Sequence, residues 1–324
     1  MHFRTRFARG AALVLGLTVG LGSAAGCGRY SINNLRSVKA FKDGSEAYKK
    51  NDFPTAAAKF EESLGYSDEQ GIVYFFLANS YDQQWKPARK GEPANDEFMQ
   101  KAVKNYQTAI DRLQGDTPLD KQYRQYSYEY LIAAYGPDKL NDFDKAEPIA
   151  KKLIEINPNE PGNYQALAKM YTDQGRYEEA EDMYKKAIQA RPDDPSVYTA
   201  IANFYNSQGR FEDTITALED SAKYEPNNPE AYHRIGTFFE GKIRQDFRLT
   251  KAEQRNFALK GIAAEDKAIA LNPNYAEAMI FKNILLHYQA NTEKDPAVQK
   301  ALLKEADALR AKGIEIQKRA NSGK

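Results

Sequence analysis

The sequence has few of the residues from which metal centres and most catalytic sites are built. Its 324 residues include one cysteine, Cys27, and three histidines, of which only His233 and His287 come after Cys27. Zinc and transition-metal sites need clusters of such ligands. The glycine-rich motifs of phosphate-binding loops and nucleophile elbows are also missing. We therefore predict no metal, no cofactor and no enzymatic activity.

An excess of positive charge is also lacking. The chain has 46 Lys and Arg against 45 Asp and Glu. Three of the arginines lie before Cys27, where no acid occurs, so the remainder of the chain is slightly acidic. Proteins that bind nucleic acid usually show a strong basic excess, and we expect no nucleic-acid partner.

The N-terminus has the pattern of an export signal. Arg4, Arg6 and Arg9 precede an apolar run at 11–21, and small residues follow at 23–26. The run is too short to predict a membrane span, and its flanks are those of a secretory signal peptide. Residues 1–26 are therefore predicted to be a signal peptide, and the protein is expected to be exported.

The only cysteine stands directly after this signal. The stretch Ala24-Ala25-Gly26-Cys27 resembles the lipobox of bacterial lipoproteins. The resemblance implies cleavage after Gly26, fatty acylation (palmitate-type chains) of Cys27, and a short tether over 27–36. Gly28, where retained lipoproteins have Asp, implies the periplasmic face of the outer membrane. The alternative is an ordinary cleaved signal followed by an incidental cysteine.

A repeated pattern organises the middle of the chain. Every position of the second copy follows its counterpart by the same interval, a period of about 34 residues. Apolar residues at helical spacing, a glycine turn and a second apolar stripe make each copy a predicted helix hairpin. The first copy comprises Tyr164, Leu167, Ala168, Tyr171, Gly175, Tyr177, Ala180, Tyr184, Ala187 and Pro192; the second comprises Tyr198, Ile201, Ala202, Tyr205, Gly209, Phe211, Thr214, Leu218, Ser221 and Pro226.

This period and spacing resemble the tetratricopeptide repeat. The resemblance implies an all-α, right-handed α-solenoid of about six helix hairpins with a capping helical pair at its C-terminal end. Residues 320–324 are expected to fray. The expected solenoid covers 37–319, with repeats at about 37–70, 71–115, 122–160, 161–194, 195–228 and 229–275 and the cap at 276–319.

In this family the first helix of each hairpin lines a groove that binds the partner. Carried over position by position, the resemblance implies an apolar N-terminal end and a polar middle. A second possibility is that residues 30–36 fold back over the apolar end. The expected groove residues are Val38, Phe41, Phe75, Asn79, Tyr126, Lys169, Asn203 and His233.

Two basic insertions interrupt the repeats, at about 84–95 and 242–254. Trp85 and Arg89 lie in the first, and Arg244 and Arg248 in the second. Tryptophan and arginine are frequent in binding hot spots, so these loops are candidate contacts with a protein or with anionic lipid headgroups. Simple solvated loops are the alternative.

Together these features predict a membrane-anchored scaffold of the bacterial cell envelope. Its partners would be other envelope proteins, bound in the groove. A glycan- or peptidoglycan-binding envelope protein and a regulator of an envelope enzyme are the alternatives, because a repeat fold does not specify its ligand.

Overall fold

The computed structural model describes residues 32–322, which form 14 α-helices and no β-strand. This confirms the predicted all-α helical-repeat solenoid. The chain divides into two compact units, Met1–Ser127 and Tyr128–Lys324. The predicted signal peptide and Cys27 lie outside the described residues. Between 32 and 322, every helix is too short or too polar to traverse a bilayer.

The first unit consists of neighbouring helices joined by short connections. Helix α1 packs on α2, α2 on α3, and α3 on α4. A short 3-10 turn, Pro87–Arg89, lies between α3 and α4. The helices are α1 (Ile32–Lys49), α2 (Phe53–Tyr66), α3 (Gly71–Gln84), α4 (Pro93–Arg112) and the first part of α5 (Pro118–Tyr135).

The second unit continues the same arrangement from the end of α5. Each helix packs on the next one along the chain from α6 onward. The helices are α6 (Phe143–Ile156), α7 (Pro161–Asp173), α8 (Tyr177–Ala190), α9 (Pro195–Ser207), α10 (Phe211–Tyr224), α11 (Pro229–Gln245), α12 (Lys251–Leu271), α13 (Ala276–Thr292) and α14 (Pro296–Ser322).

Three helices of the second unit begin with the same local device. Glu160, Asp194 and Asn228 lie one repeat period apart, and each accepts a hydrogen bond from the backbone N–H two residues later. A proline follows each of them and opens α7, α9 and α11. Proline suits the first helical position because its missing N–H would have no partner there. Polar cap and proline together fix where each hairpin starts.

Glycine forms the turn inside the two hairpins α7–α8 and α9–α10. Gly175 and Gly209 adopt φ angles of +72° and +70°, a conformation that a Cβ disfavours. Beyond the turns, Ala180 and Ala187 are fully buried, so their small side chains allow neighbouring helices to approach closely. The period in the sequence therefore reappears as a period in the packing.

Helix ends differ from the sequence-based boundaries at several places, and α14 continues to Ser322 through part of the tail that was expected to fray. Helix α1 starts at Ile32, so residues 32–36 are helical rather than an extended tether or a covering segment. The second insertion mostly lengthens α11 and α12, which leaves 246–250 between them. The first insertion includes the start of α4 at Pro93. The inserted residues largely extend helices. The spacing of the repeat pattern alone does not show whether an insertion lengthens a helix or forms a loop.

Candidate functional site

The first helices of the hairpins in the second unit form a layer of their own. Besides their hairpin partners, α7 contacts α9, and α11 contacts α13. Equivalent positions therefore recur on neighbouring first helices once per period. We call the solvent-facing side of α7, α9 and α11 the inner face; it is represented by Gln165, Lys169, Thr199, Asn203, Asn206, His233, Arg234 and Thr237.

Amide side chains on this inner face are not used by the fold. Asn203 and Asn206 are exposed, Gln165 is half-buried, and none of the three makes a side-chain hydrogen bond within the described residues. Each amide offers both donors and an acceptor. Such groups match the N–H and C=O groups of an extended polypeptide.

Arg234 adds a positive charge that has no carboxylate partner in the described chain. It is half-buried, and its Nη1 donates to Thr199 Oγ1 at 3.1 Å. Thr199 in turn lies 3.2 Å from the hydroxyl of Ser221, which anchors the arginine to the layer behind. A guanidinium has five donors, so most of them stay available to an acidic group. Lys169, by contrast, is paired with Asp173 at 2.7 Å.

His233, an expected groove residue, is engaged from behind by a buried carboxylate. Its Nδ1 lies 2.9 and 3.0 Å from the two oxygens of Glu265, and Glu265 is fully buried. The rings of Tyr275 and Phe281 pack edge-on against the imidazole. Burial raises the pKa of Glu265 to about 7, against the opposing pull of His233. Sequence reasoning missed this partner because nothing periodic connects positions 233 and 265.

A polar clamp lies behind the layer and also recurs once per period. The hydroxyl of Tyr171 donates to Glu147 at 2.8 Å, and Arg176 binds Glu147 while its guanidinium covers the tyrosine ring at 4.4 Å. Tyr205, Glu181 and Arg210 repeat the arrangement.

The second clamp has a marked electrostatic effect. Although partial burial opposes it, hydrogen bonds from Lys185, Arg210 and Tyr205 lower the pKa of Glu181 to about 2. Each clamp ties one hairpin to the next, because its carboxylate and its tyrosine belong to neighbouring hairpins. These residues therefore hold the scaffold together rather than face a ligand.

In the first unit, three expected groove residues are buried, which corrects the prediction of an exposed apolar lining. Phe41 is 7% and Phe75 5% exposed. Phe41 packs against Phe60 and Phe76, and Phe75 against Phe76 and Tyr123. Asn79 is 1% exposed; its amide donates to Tyr106 at 3.1 Å and accepts from Tyr48 at 2.6 Å. Large aromatic side chains from neighbouring helices cover these positions.

Val38 and Tyr126 remain accessible in the first unit. Val38 on α1 is 51% exposed. Tyr126 on α5 is half-buried, and its hydroxyl accepts a hydrogen bond from Gln122 at 3.0 Å.

In the first insertion, one of the two expected contact residues is buried and the other is exposed. Trp85 is only 7% exposed, because the buried side chain of Asn95 hydrogen-bonds Lys86 and Arg89 and ties down the segment that follows the tryptophan. Arg89 pairs with Glu92. The expectation that Trp85 forms an exposed contact is therefore corrected.

The second insertion presents its charges to solvent. Arg244 pairs with Glu240 and Arg248 with Asp246, and both arginines are exposed. Phe247 between them is 93% exposed, which sequence reasoning did not single out. Among residues 32–322, no three His, Cys, Asp or Glu side chains converge in a way that could hold a metal ion.

The sequence of part of this region matches a known repeat. A profile of the tetratricopeptide repeat matches residues 139–204, which cover α6 to most of α9. No curated protein sequence matches the chain.

One solved structure of a TPR repeat-containing protein resembles the fold, and two others align at lower scores. The C-terminal part of a TPR repeat-containing protein from Cytophaga hutchinsonii aligns with a TM-score of 0.53 at 16% identity, over 85% of this chain and 98% of that one. MamA gives 0.40 at 20% identity, over 56% and 92%. YrrB, described as a TPR protein with an unusual peptide-binding site, gives 0.41 at 14%, over 61% and 91%. At 16% identity, the likeness to the Cytophaga hutchinsonii protein concerns the fold alone.

Proposed function

We propose that this protein is a membrane-anchored scaffold of the bacterial cell envelope that binds an extended segment of another envelope protein on its inner face. The observation that carries this proposal is the set of unused hydrogen-bonding groups on that face. Gln165, Asn203 and Asn206 make no side-chain hydrogen bond in the described chain, and Arg234 has no carboxylate partner there.

The chemistry of these groups defines the partner. Side-chain amides pair with backbone groups whatever the sequence of the bound segment, whereas a half-buried guanidinium binds a carboxylate with a charge-assisted hydrogen bond. The partner segment is therefore extended and carries an acidic group opposite Arg234. The aligned positions on α7, α9 and α11 suit a segment that crosses several hairpins.

The anchor is supported by the sequence around Cys27. A lone exported thiol has no intramolecular disulfide partner, and two or more acyl chains give stable membrane attachment where one gives only marginal binding. The proposed site of action is the periplasmic face of the outer membrane. Catalysis is not proposed: the described contacts of His233 are the Glu265 carboxylate and the rings of Tyr275 and Phe281.

Site-specific photocrosslinking in intact cells tests the partner proposal. A photoreactive residue replaces Asn203 on the inner face or, as the matched control, Glu219, an exposed residue of α10. We expect one defined envelope protein to be captured from position 203 and not from 219. With the photoreactive residue at 203, the added substitution Arg234→Ala should weaken capture of that protein by at least about tenfold, since it removes a charged hydrogen bond.

Two results would contradict the adaptor. Capture of no polypeptide from position 203, with co-sedimentation of the protein with peptidoglycan sacculi, would favour glycan binding instead. Equal capture from both positions would mean that the inner face has no special role. The anchor is tested separately by the mass of the protein extracted from membranes, which should show acyl chains on Cys27, and by release of the Cys27→Ala variant from the membrane fraction.

A further inference from the structure

Helix α1 carries apolar side chains on two opposite sides. Ala40, Phe41, Gly44 and Ala47 face the hairpin core and are buried. Ile32, Leu35 and Val38 follow one another at three-residue spacing and are 68%, 60% and 51% exposed. At about 100° per residue, this second set points away from the core. We call Ile32, Leu35, Val38, Lys39 and Lys42 the outer face of α1.

The charge of this outer face is positive. Lys39 and Lys42 are exposed, and neither forms an ion pair within the described residues. Arg36 beside them lies over the ring of Tyr66, with its Cζ 5.8 Å from the ring centroid. No acidic residue occurs between Ile32 and Lys42, and Asp43 and the exposed Glu46 follow on the same side of the helix, so the positive charge is confined to its first three turns. Apolar side chains interleaved with unpaired cations are the pattern of a helix that lies on an anionic membrane surface.

The chain before α1 limits where this face can be. Cys27 precedes Ile32 by only a few residues, which span at most about 18 Å. An acyl anchor on Cys27 would therefore hold the start of α1 close to the lipid headgroups. Lysine near an anionic bilayer is attracted to it, and the attraction fades within a Debye length, so this short distance matters.

We propose that the outer face of α1 docks on the anionic lipid surface to which the protein is anchored, with Ile32, Leu35 and Val38 in the headgroup region and Lys39 and Lys42 against lipid phosphates. The docking proposal rests on the proposed anchor to bring α1 to the membrane. The apolar and basic side chains that would bind the lipid do not depend on that anchor. The contact would orient the first hairpin against the membrane, which a flexible tether alone cannot do.

A single-site environmental probe tests the docking. Cys27 is the only native cysteine, so an acylated chain bearing Leu35→Cys has one free thiol, which is labelled with a polarity-sensitive fluorophore. The matched control is Val298→Cys on α14, a residue that is 42% exposed. The full-length protein is reconstituted in phosphatidylglycerol–phosphatidylethanolamine vesicles that contain doxyl-labelled lipid. We expect strong quenching at position 35 and little at 298.

Charge variants then test the electrostatic part. Lys39→Glu/Lys42→Glu should reduce quenching at position 35 at least about tenfold, as should vesicles of phosphatidylcholine alone. The matched control, Lys300→Glu/Lys304→Glu on exposed positions of α14, should leave it unchanged. Equal quenching at 35 and 298 would overturn the proposal, and so would fluorophore self-association in lipid-free solution, which would assign the face to a second copy of the chain.

Failure of the anchor can be distinguished from failure of the docking. If mass analysis shows Cys27 unacylated, the thiol-labelled protein is mixed with the same anionic vesicles in solution after Cys27→Ser removes the second thiol. Quenching at position 35 under those conditions still supports docking by α1. If quenching at position 35 is absent in this mixture or in the acylated protein, the docking proposal is overturned. The result on acylation of Cys27 is not affected.

Discussion

At the scale of single residues, the hydrogen bond between His233 and Glu265 is the most consequential contact of the second unit. Glu265 is fully buried, and an added Cβ on Gly236 would lie only 2.3 Å from one of its carboxylate oxygens. The glycine thus makes room for the carboxylate, which in turn holds the imidazole at the inner face. Because burial disfavours the charged carboxylate, this pair should make stability depend on pH.

Replacing Glu265 tests that dependence. The pKa of Glu265 is raised from 4.5 to about 7 by burial, so the folded protein keeps a proton that the unfolded chain loses. The stabilisation is complete below pH 4.5 and disappears as the pH rises through 7. We expect the free energy of unfolding to fall across this window by up to about 3 kcal/mol and to fall much less in Glu265→Gln.

Urea unfolding at several pH values from 4.5 to 8 measures this slope. Glu277→Gln is the control, because Glu277 is an exposed carboxylate of α13 and its removal should leave the slope unchanged. A slope in Glu265→Gln equal to that of the unmodified protein would show that another group is responsible.

At the scale of elements, hairpin geometry depends on turns and on clamps between hairpins. Gly209 adopts a φ of +70°, whereas Gly241 lies inside α11 with no atom within 4 Å of an added Cβ. The same substitution should therefore act in opposite directions at the two sites. The clamp around Glu181 contributes a second, independent stabilisation between α8, α9 and the start of α10.

The glycine pair gives the first element-scale prediction. Gly209→Ala should destabilise the fold by about 1–2 kcal/mol, the cost of the left-handed conformation for a residue with a Cβ. Gly241→Ala should stabilise it by up to about 1 kcal/mol, since alanine favours a helix interior. Thermal melting of both variants measures the difference, and a shift of the same sign in both would contradict this account of the turn.

The clamp around Glu181 gives the second element-scale prediction. Tyr205→Phe removes the hydroxyl that donates to Glu181 at 3.1 Å and should cost about 1 kcal/mol. Tyr177→Phe is the matched control, because Tyr177 is 47% exposed and its hydroxyl makes no hydrogen bond in the described chain. Denaturant midpoints should separate the two variants; equal midpoints would mean that the clamp contributes nothing measurable.

How far the sequence predicts these features depends on whether they follow the period. The hairpins from Pro161 to Tyr224 were predictable because packing residues, turns and caps recur at the same interval. The partner of His233 was not, since Glu265 occurs once. Phe41 and Phe75 were assigned to an open face because the family pattern does not anticipate rings such as Phe76 and Tyr123, which cover them here. Trp85 is buried for a similarly local reason, the tied segment at Asn95.

At the scale of the whole molecule, each unit is a linear series in which a helix touches only those next to it or one further along the chain. Stability in such a series is a sum of hairpin and interface contributions. Interior hairpins have neighbours on both sides, whereas terminal ones have a single neighbour. Only Ala306 and Gly313 are buried among the 27 residues of α14.

Amide hydrogen exchange should therefore be graded along the second unit. We expect the slowest exchange in α9 and α10, which bury much of their length, and the fastest helical exchange after Gly313 in α14, because weakly packed ends open at low free energy. Mass spectrometry of peptic fragments resolves this gradient. Uniform protection from α7 to the end of α14 would indicate one cooperative block instead of a series.

The recurrence of Glu147, Tyr171 and Arg176 as Glu181, Tyr205 and Arg210 has a genetic corollary. A tandem duplication of one such unit would find a ready-made joint at both ends, because each end already matches the other. After α10 an added unit would meet its neighbour without this clamp, since Ile215 and Phe239 stand where the next carboxylate and phenol would be. Gain or loss of whole units that preserves the clamp is therefore confined to the middle of the array.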